Sequence, residues 1–116
     1  MNRKKELKLQ YKLMKPKMGI FAIRSKVNKK CYIEAAKDLK SRINMTNFKL
    51  ELGSHPIKTL QEDWKKFSKD SFSLEILEEL KYYEDEAKTD YQDELSLLQL
   101  IWAEKLLQEN YELYEK

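Results

Sequence analysis

The stretch GIFAIRSKVNKKCYIEA, residues 19–35, concentrates the side chains that could do chemistry. It holds the phenol of Tyr32, the carboxylate of Glu34, the chain's single cysteine, Cys31, and the basic cluster Lys26, Lys29 and Lys30. Arg42 follows shortly after, flanked by Lys37 and Lys40, and the single histidine, His55, stands before Pro56. Lysines clustered in a turn attract phosphates, because each neutralised phosphate releases a counterion. Other chemistries are excluded by what is missing. There is no glycine-rich loop to cradle phosphates, no Cys/His spacing for zinc, and no Ser-His-Asp set beyond His55 itself. Each residue also has a plainer reading. Tyr32 reads as a sheet-face aromatic, Arg42 as a solvated helix charge, and His55 as a loop hydrogen-bonder. Cys31 reads as a small strand hydrophobe, since two lysine neighbours are a weak case for a reactive thiolate.

The elements that must position these groups follow from periodicity. Residues 18–24 alternate and are β-permissive, Val27-Asn28-Lys29-Lys30 forms a turn with Asn28 as its left-handed residue, and residues 31–35 return as a second strand. Asp38 caps a helix that carries Leu39, Ile43, Phe48 and Leu50 and stops at Gly53. Ile57, Leu60, Trp64 and Phe67 mark a second helix, and their spacing places them in the core with Trp102. Phe72, Leu74 and Ile76 alternate through a third strand over 72–77. Residues 81–90 read as an exposed acidic loop, and 90–113 as a long helix carrying Leu95, Leu98, Ile101, Trp102, Leu106 and Leu113. The expected fold is α+β: a three-stranded antiparallel sheet flanked by helices, with an extra N-terminal helix. That extra helix, over 2–14, carries Leu7, Tyr11 and Met14 and stops at Lys15-Pro16. The division is thus an arm over 1–17 and a domain over 18–116.

Bulk composition agrees. With 116 residues there is room for one domain with a modest core. Charged residues are 37% and there are only two glycines and two prolines, which suits a helix-rich chain and not a turn-rich β-sandwich. No apolar run reaches membrane-spanning length, and one cysteine makes no internal disulfide, so no membrane is expected and a reducing cytoplasm is the expected location. The net charge of +3 conceals an asymmetry. Residues 1–69 hold 19 Lys and Arg against 6 Asp and Glu, and residues 70–116 hold 4 against 14. Either the halves lie together and neutralise, or a basic surface is left open.

Element order and motifs together resemble the GIY-YIG endonuclease domain over residues 18 to about 107. Gly19-Ile20-Phe21 matches the first motif and Tyr32-Ile33-Glu34 the second. The run Ala36-Lys37-Asp38-Leu39-Lys40-Ser41-Arg42 is similar to the segment that brings the family's arginine onto the first helix, and Gly53-Ser54-His55-Pro56 followed by Leu60-Gln61-Glu62-Asp63-Trp64 to its next block. The resemblance implies catalytic positions at Tyr32, Arg42 and His55. A phenol helps activate water and a guanidinium offsets charge on the transferring phosphoryl group. Three positions depart from the pattern. Phe21 stands for a tyrosine, Glu34 for a glycine, and Gln99 for the glutamate that would hold a metal. An amide oxygen is a poorer ligand for Mg²⁺ than a carboxylate, so no cofactor is expected, with Mg²⁺ or Mn²⁺ required only if cleavage persists, and Glu34 a ligand only in a rearranged site. The expected function is a family member with impaired cleavage that keeps a nucleic-acid surface through Lys26, Lys29, Lys30, Lys37 and Arg42. The alternatives are a protein-interaction module, with a protein partner or a homodimer through the last helix, and an active nuclease with a rearranged site.

Overall fold

The computed structural model describes residues 15–85 and 87–115. The helix expected over 2–14 lies outside the described residues, as does all of the N-terminal arm except Lys15, Pro16 and Lys17. The remainder is an α+β domain with a four-stranded mixed sheet and three helices. The strands are β1 (Met18–Ser25), β2 (Lys30–Ala36), β3 (Phe72–Leu80) and β4 (Glu112–Leu113), in the spatial order β3-β1-β2-β4. The helices are α1 (Leu39–Leu52), α2 (Lys58–Phe67) and α3 (Gln92–Gln108).

The hairpin forms as its pattern requires. β1 pairs antiparallel with β2 from Gly19↔Ala36 to Arg24↔Cys31 and with β3 on its other side. It lies between two strands and is buried on both faces over Met18–Ile23, which is why that run is apolar and does not alternate as expected before Arg24 and Ser25 end it. The turn departs in detail. Lys29, not Asn28, takes the left-handed conformation (φ 53°). Asn28 instead accepts the Lys30 N–H through Oδ1 at 3.3 Å and donates through Nδ2 to Asp63 at 3.0 Å. Gly19 answers to close packing: a Cβ there would overlap the carbonyl oxygen of Glu78, beside the register shift between Ile20 and Phe21.

Helix α1 starts where the Asp38 carboxylate accepts the Ser41 N–H at 3.2 Å. It stops at Gly53 (φ 80°), with Ser54 N–H bonded back to the Lys49 carbonyl at 2.9 Å. Its inward stripe is Leu39, Ile43, Thr46 and Leu50; Phe48, expected inside, is exposed. Together α1 and α2 cover one face of the sheet, closing over Phe21, Ile23, Phe72 and Tyr114 with Trp64 and Phe67 packed alongside. On the other face, α3 lies over Ile20, Ala22, Cys31 and Ile33 through Leu98, Trp102 and Leu106.

Two boundaries differ from the sequence reading. The last helix ends at Gln108, not 113, because Asn110 turns the chain with φ 69°. Residues 112–113 then add a fourth strand, parallel to Lys30–Cys31, so the sheet is mixed and not wholly antiparallel. Alternation explains it: Leu113 packs on the α3 face and Tyr114 on the α1 face. β3 also runs three residues further than expected, its edge guarded by Glu75, Glu78 and Glu79. The described residues of 81–90 are irregular as expected, yet tied down. Tyr82 donates to the Pro16 carbonyl at 2.6 Å, Tyr83 N–H to the Tyr91 hydroxyl at 3.0 Å, and Lys88 pairs with Glu94 at 2.9 Å. Among the described residues no helix is long and apolar enough to cross a membrane.

Candidate nucleic-acid and phosphate site

On β2, residues 32 and 34 point to the α1 face because strand side chains alternate. Tyr32 donates its hydroxyl proton to Glu34 Oε2 at 2.9 Å, while Glu34 Oε1 lies 3.7 Å from Nε of Arg42 on α1. One carboxylate thus engages both the phenol and the guanidinium. Burial, and next the negative charge of Glu34, push the Tyr32 hydroxyl far above its ordinary range. It stands as a neutral donor and is no base near pH 7.

His55 meets the edge of the Tyr32 ring, with centroids 5.3 Å apart and planes at 88°. Its Nδ1 accepts the Ile57 N–H at 3.1 Å, its own N–H donates to Gln61 Oε1 at 3.0 Å, and Gln61 Nε2 reaches the Leu50 carbonyl at 2.9 Å. Burial and the Lys49 charge lower its proton affinity. The ring is therefore neutral, with its proton on Nε2, and it fastens the α1–α2 loop to β2. Gln61 stood in the sequence only as part of a motif; its role as a buried bridge between His55 and Leu50 is what sequence reading missed.

The other candidate residues fall elsewhere. Phe21 is fully buried opposite Glu34. Gln99 lies on α3 and lines a cleft with Ile33, Ser96, Leu113 and Glu115. The metal implied by the resemblance does not fit that donor set, which offers a neutral amide where a carboxylate is needed and Glu115 as its single acid. Among the described residues no group of three His, Cys, Asp or Glu side chains is placed to hold a metal ion. Glu34, the alternative ligand, has one oxygen bonded to Tyr32 and the other beside Arg42.

The basic residues separate into two groups. Lys37 and Arg42 share the rim of an open cleft of about 420 Å³ with Ser41, Met45 and Gln92. Lys29 and Lys30 sit at the opposite end of β2, over the rings of Tyr111 and Tyr114, and Lys29 donates to the Glu109 carbonyl at 3.1 Å. Lys26 is exposed in the same turn. Cys31 is fully buried, and desolvation pushes its thiol up to about 11, as befits a strand hydrophobe.

Element order and overall fold, matched to solved structures, define the class: the described residues form a GIY-YIG-like domain. Two solved structures carry the comparison, both of the catalytic domain of I-TevI, a GIY-YIG homing endonuclease. An alanine mutant of that domain is 28% identical, with a TM-score of 0.65, over 85% of this chain and 92% of the other. A second structure of the domain is 26% identical, also with a TM-score of 0.65, over 85% of this chain and 99% of the other. No protein-family model and no curated protein matches the chain.

Proposed function

We propose that this protein binds nucleic acid on a GIY-YIG nuclease frame and has lost most or all of the capacity to cut it. One observation carries the reading: Glu34 holds both Tyr32 and Arg42, the two family positions that the chain retains on its hairpin and first helix. A phosphate entering beside Arg42 meets the negative charge of Glu34, whose Oε1 lies 3.7 Å from the guanidinium Nε. Phe21 offers no hydroxyl, and Gln99 offers no anionic ligand. Loss of a general base costs about 10²–10⁴-fold in rate, and the missing charge stabilisation adds to that. The I-TevI domain is named an endonuclease; here the cleft of Lys37, Ser41 and Arg42 is read as a phosphate-binding remnant of such a site.

A nicking assay on supercoiled plasmid with Mg²⁺ or Mn²⁺ tests this. The wild type is expected to leave the plasmid intact. The triple variant Phe21→Tyr, Glu34→Gly, Gln99→Glu is expected to gain metal-dependent nicking that Arg42→Ala removes. Nicking by the wild type that stops on Arg42→Ala or Tyr32→Phe would show a working enzyme with a variant site.

A further inference from the structure

The far end of β2 is where the sheet meets the starts of α1 and α3 around open space. β4 pairs with β2 only at Lys30 and Cys31, so beyond them the strand has a free edge among the described residues. That edge runs to Ala35 and Ala36, whose methyl groups leave room beside the strand. The first turns of α1 stand on one side and the start of α3 on the other, and together they enclose the cleft of about 420 Å³ that Lys37 and Arg42 rim. Its size falls within the roughly 300–1,000 Å³ of pockets that take a small organic ligand.

The lining is of two kinds. Lys37 and Arg42 supply positive charge, and Lys37 takes no part in the ion pairs of the described residues. Ala35, Ala36, Met45 and Leu95 form an apolar slot, with Met45 still 46% exposed. Gln92 closes one side. Its Nε2 donates to Ser96 Oγ at 3.1 Å, which leaves its carbonyl oxygen as an acceptor. A surface that met only the phosphates of a duplex would have no use for the slot, because paired bases are stacked away from it. A nucleotide outside a duplex has both parts, an anionic phosphate and a flat apolar ring with a polar edge.

We propose that the cleft takes an unpaired nucleotide of a nucleic-acid strand, with its phosphate at Lys37 and Arg42 and its base in the slot of Met45, Leu95 and the two alanines. The inference rests on the nucleic-acid reading above and narrows it from phosphate binding to a preference for strands with unpaired bases. Methionine suits the slot, because an unbranched, polarisable thioether adapts to the face of a purine or a pyrimidine. The site therefore selects for an unpaired base more than for the identity of that base. The Gln92 carbonyl and the free backbone edge of β2 offer hydrogen bonds to its polar rim.

Fluorescence anisotropy on the full chain at low salt decides the matter. The DNA probes carry equal numbers of phosphates: a strand without self-complementarity, a blunt duplex, and a duplex interrupted by a single-stranded gap. The strand and the gapped duplex are expected to bind about tenfold more tightly than the blunt duplex, the order of effect of one base seated on a side-chain platform. Met45→Arg fills the slot and adds positive charge at an exposed position that the fold should tolerate. It should bring the ratio of strand to duplex affinity close to one. If the cleft met phosphates alone, Met45→Arg would tighten all the probes together, and that outcome overturns the proposal. Equal binding of strand and blunt duplex by the wild type also overturns it, while the nucleic-acid reading stands. Failure to bind any probe removes that reading, and this inference with it. A nucleoside monophosphate that displaces the strand at matched nucleotide concentration would make the ligand a free nucleotide, and overturns the assignment to a strand.

Discussion

At the scale of single residues, the site is governed by Glu34 and His55. A strand position gives the face on which a side chain stands, so the sequence places Tyr32 and Glu34 together. It does not give the rotamer that sets the carboxylate between a phenol and a guanidinium. Position 34 was legible as a carboxylate in place of a glycine, and not as the partner of Arg42. His55 was legible as a hydrogen-bonding loop residue, and its Nδ1 does accept a backbone N–H. That bond makes a pH prediction. Burial and Lys49 hold the folded imidazole below its ordinary value, so the unfolded chain takes up a proton where the folded chain does not. Stability is then fully present above the unfolded value, about pH 6.5, and falls as acid drives the pH towards the lowered folded value. The urea midpoint should be lower at pH 5.5 than at pH 7.5. His55→Asn, whose Oδ1 can accept the Ile57 N–H, should flatten that difference; an unchanged slope would remove His55 as its source.

At the scale of elements, the boundaries that rest on a local chemical signal were legible. Asp38 and Gly53 mark α1 because a carboxylate satisfies free N–H groups and a glycine accepts φ 80°. The exceptions had no such signal. Thr46 completes the buried stripe of α1 yet reads as polar, which left Phe48 to be counted inward. The strand β4 is two residues long, and only its pairing with Lys30 and Cys31 defines it. The two glycines then behave differently under the same substitution. Gly53→Ala forces a left-handed alanine, at a cost of about 1–2 kcal/mol. At Gly19 an added methyl meets the Glu78 backbone, and the β1–β3 pairing has to open. Gly19→Ala should cost about 1–3 kcal/mol or more, as overpacking does. Equilibrium urea unfolding measures both. A Gly19→Ala protein as stable as wild type would mean that the bulge between Ile20 and Phe21 absorbs the methyl.

At the scale of the molecule, the charge asymmetry of the sequence becomes an asymmetry of faces. Residues 37–69, which hold α1 and α2, carry eight Lys and Arg against four acids, whereas residues 81–109, which hold α3, carry three against eight. The two layers lie on opposite faces of the sheet. Among the described residues the ion pairs join β1 to β3, β2 to α1 and the 81–90 segment to α3, and none bridges the two helical layers. The halves of the sequence do meet at one pair, Arg24 with Glu75, but that pair lies within the sheet and leaves the charge of the two helical layers apart. If nucleic acid is the partner, it should approach the α1–α2 face. Affinity for a short duplex should fall steeply with salt, log K against log salt having a slope of about −0.9 for each phosphate neutralised. Lys37→Glu and Lys40→Glu, both exposed on that side, should each weaken binding and make the slope shallower by about one. Lys105→Glu on α3 should leave both quantities unchanged, because it faces away from the duplex. The sharper variant is Glu34→Gly, which frees Arg42 from its internal partner: affinity should rise and the slope steepen by about one as the guanidinium takes a phosphate. A duplex that binds with no salt dependence, or equally well after reversal at Lys37 and Lys40, would place the contact elsewhere. A Glu34→Gly protein with wild-type affinity would mean that the carboxylate never competed for Arg42.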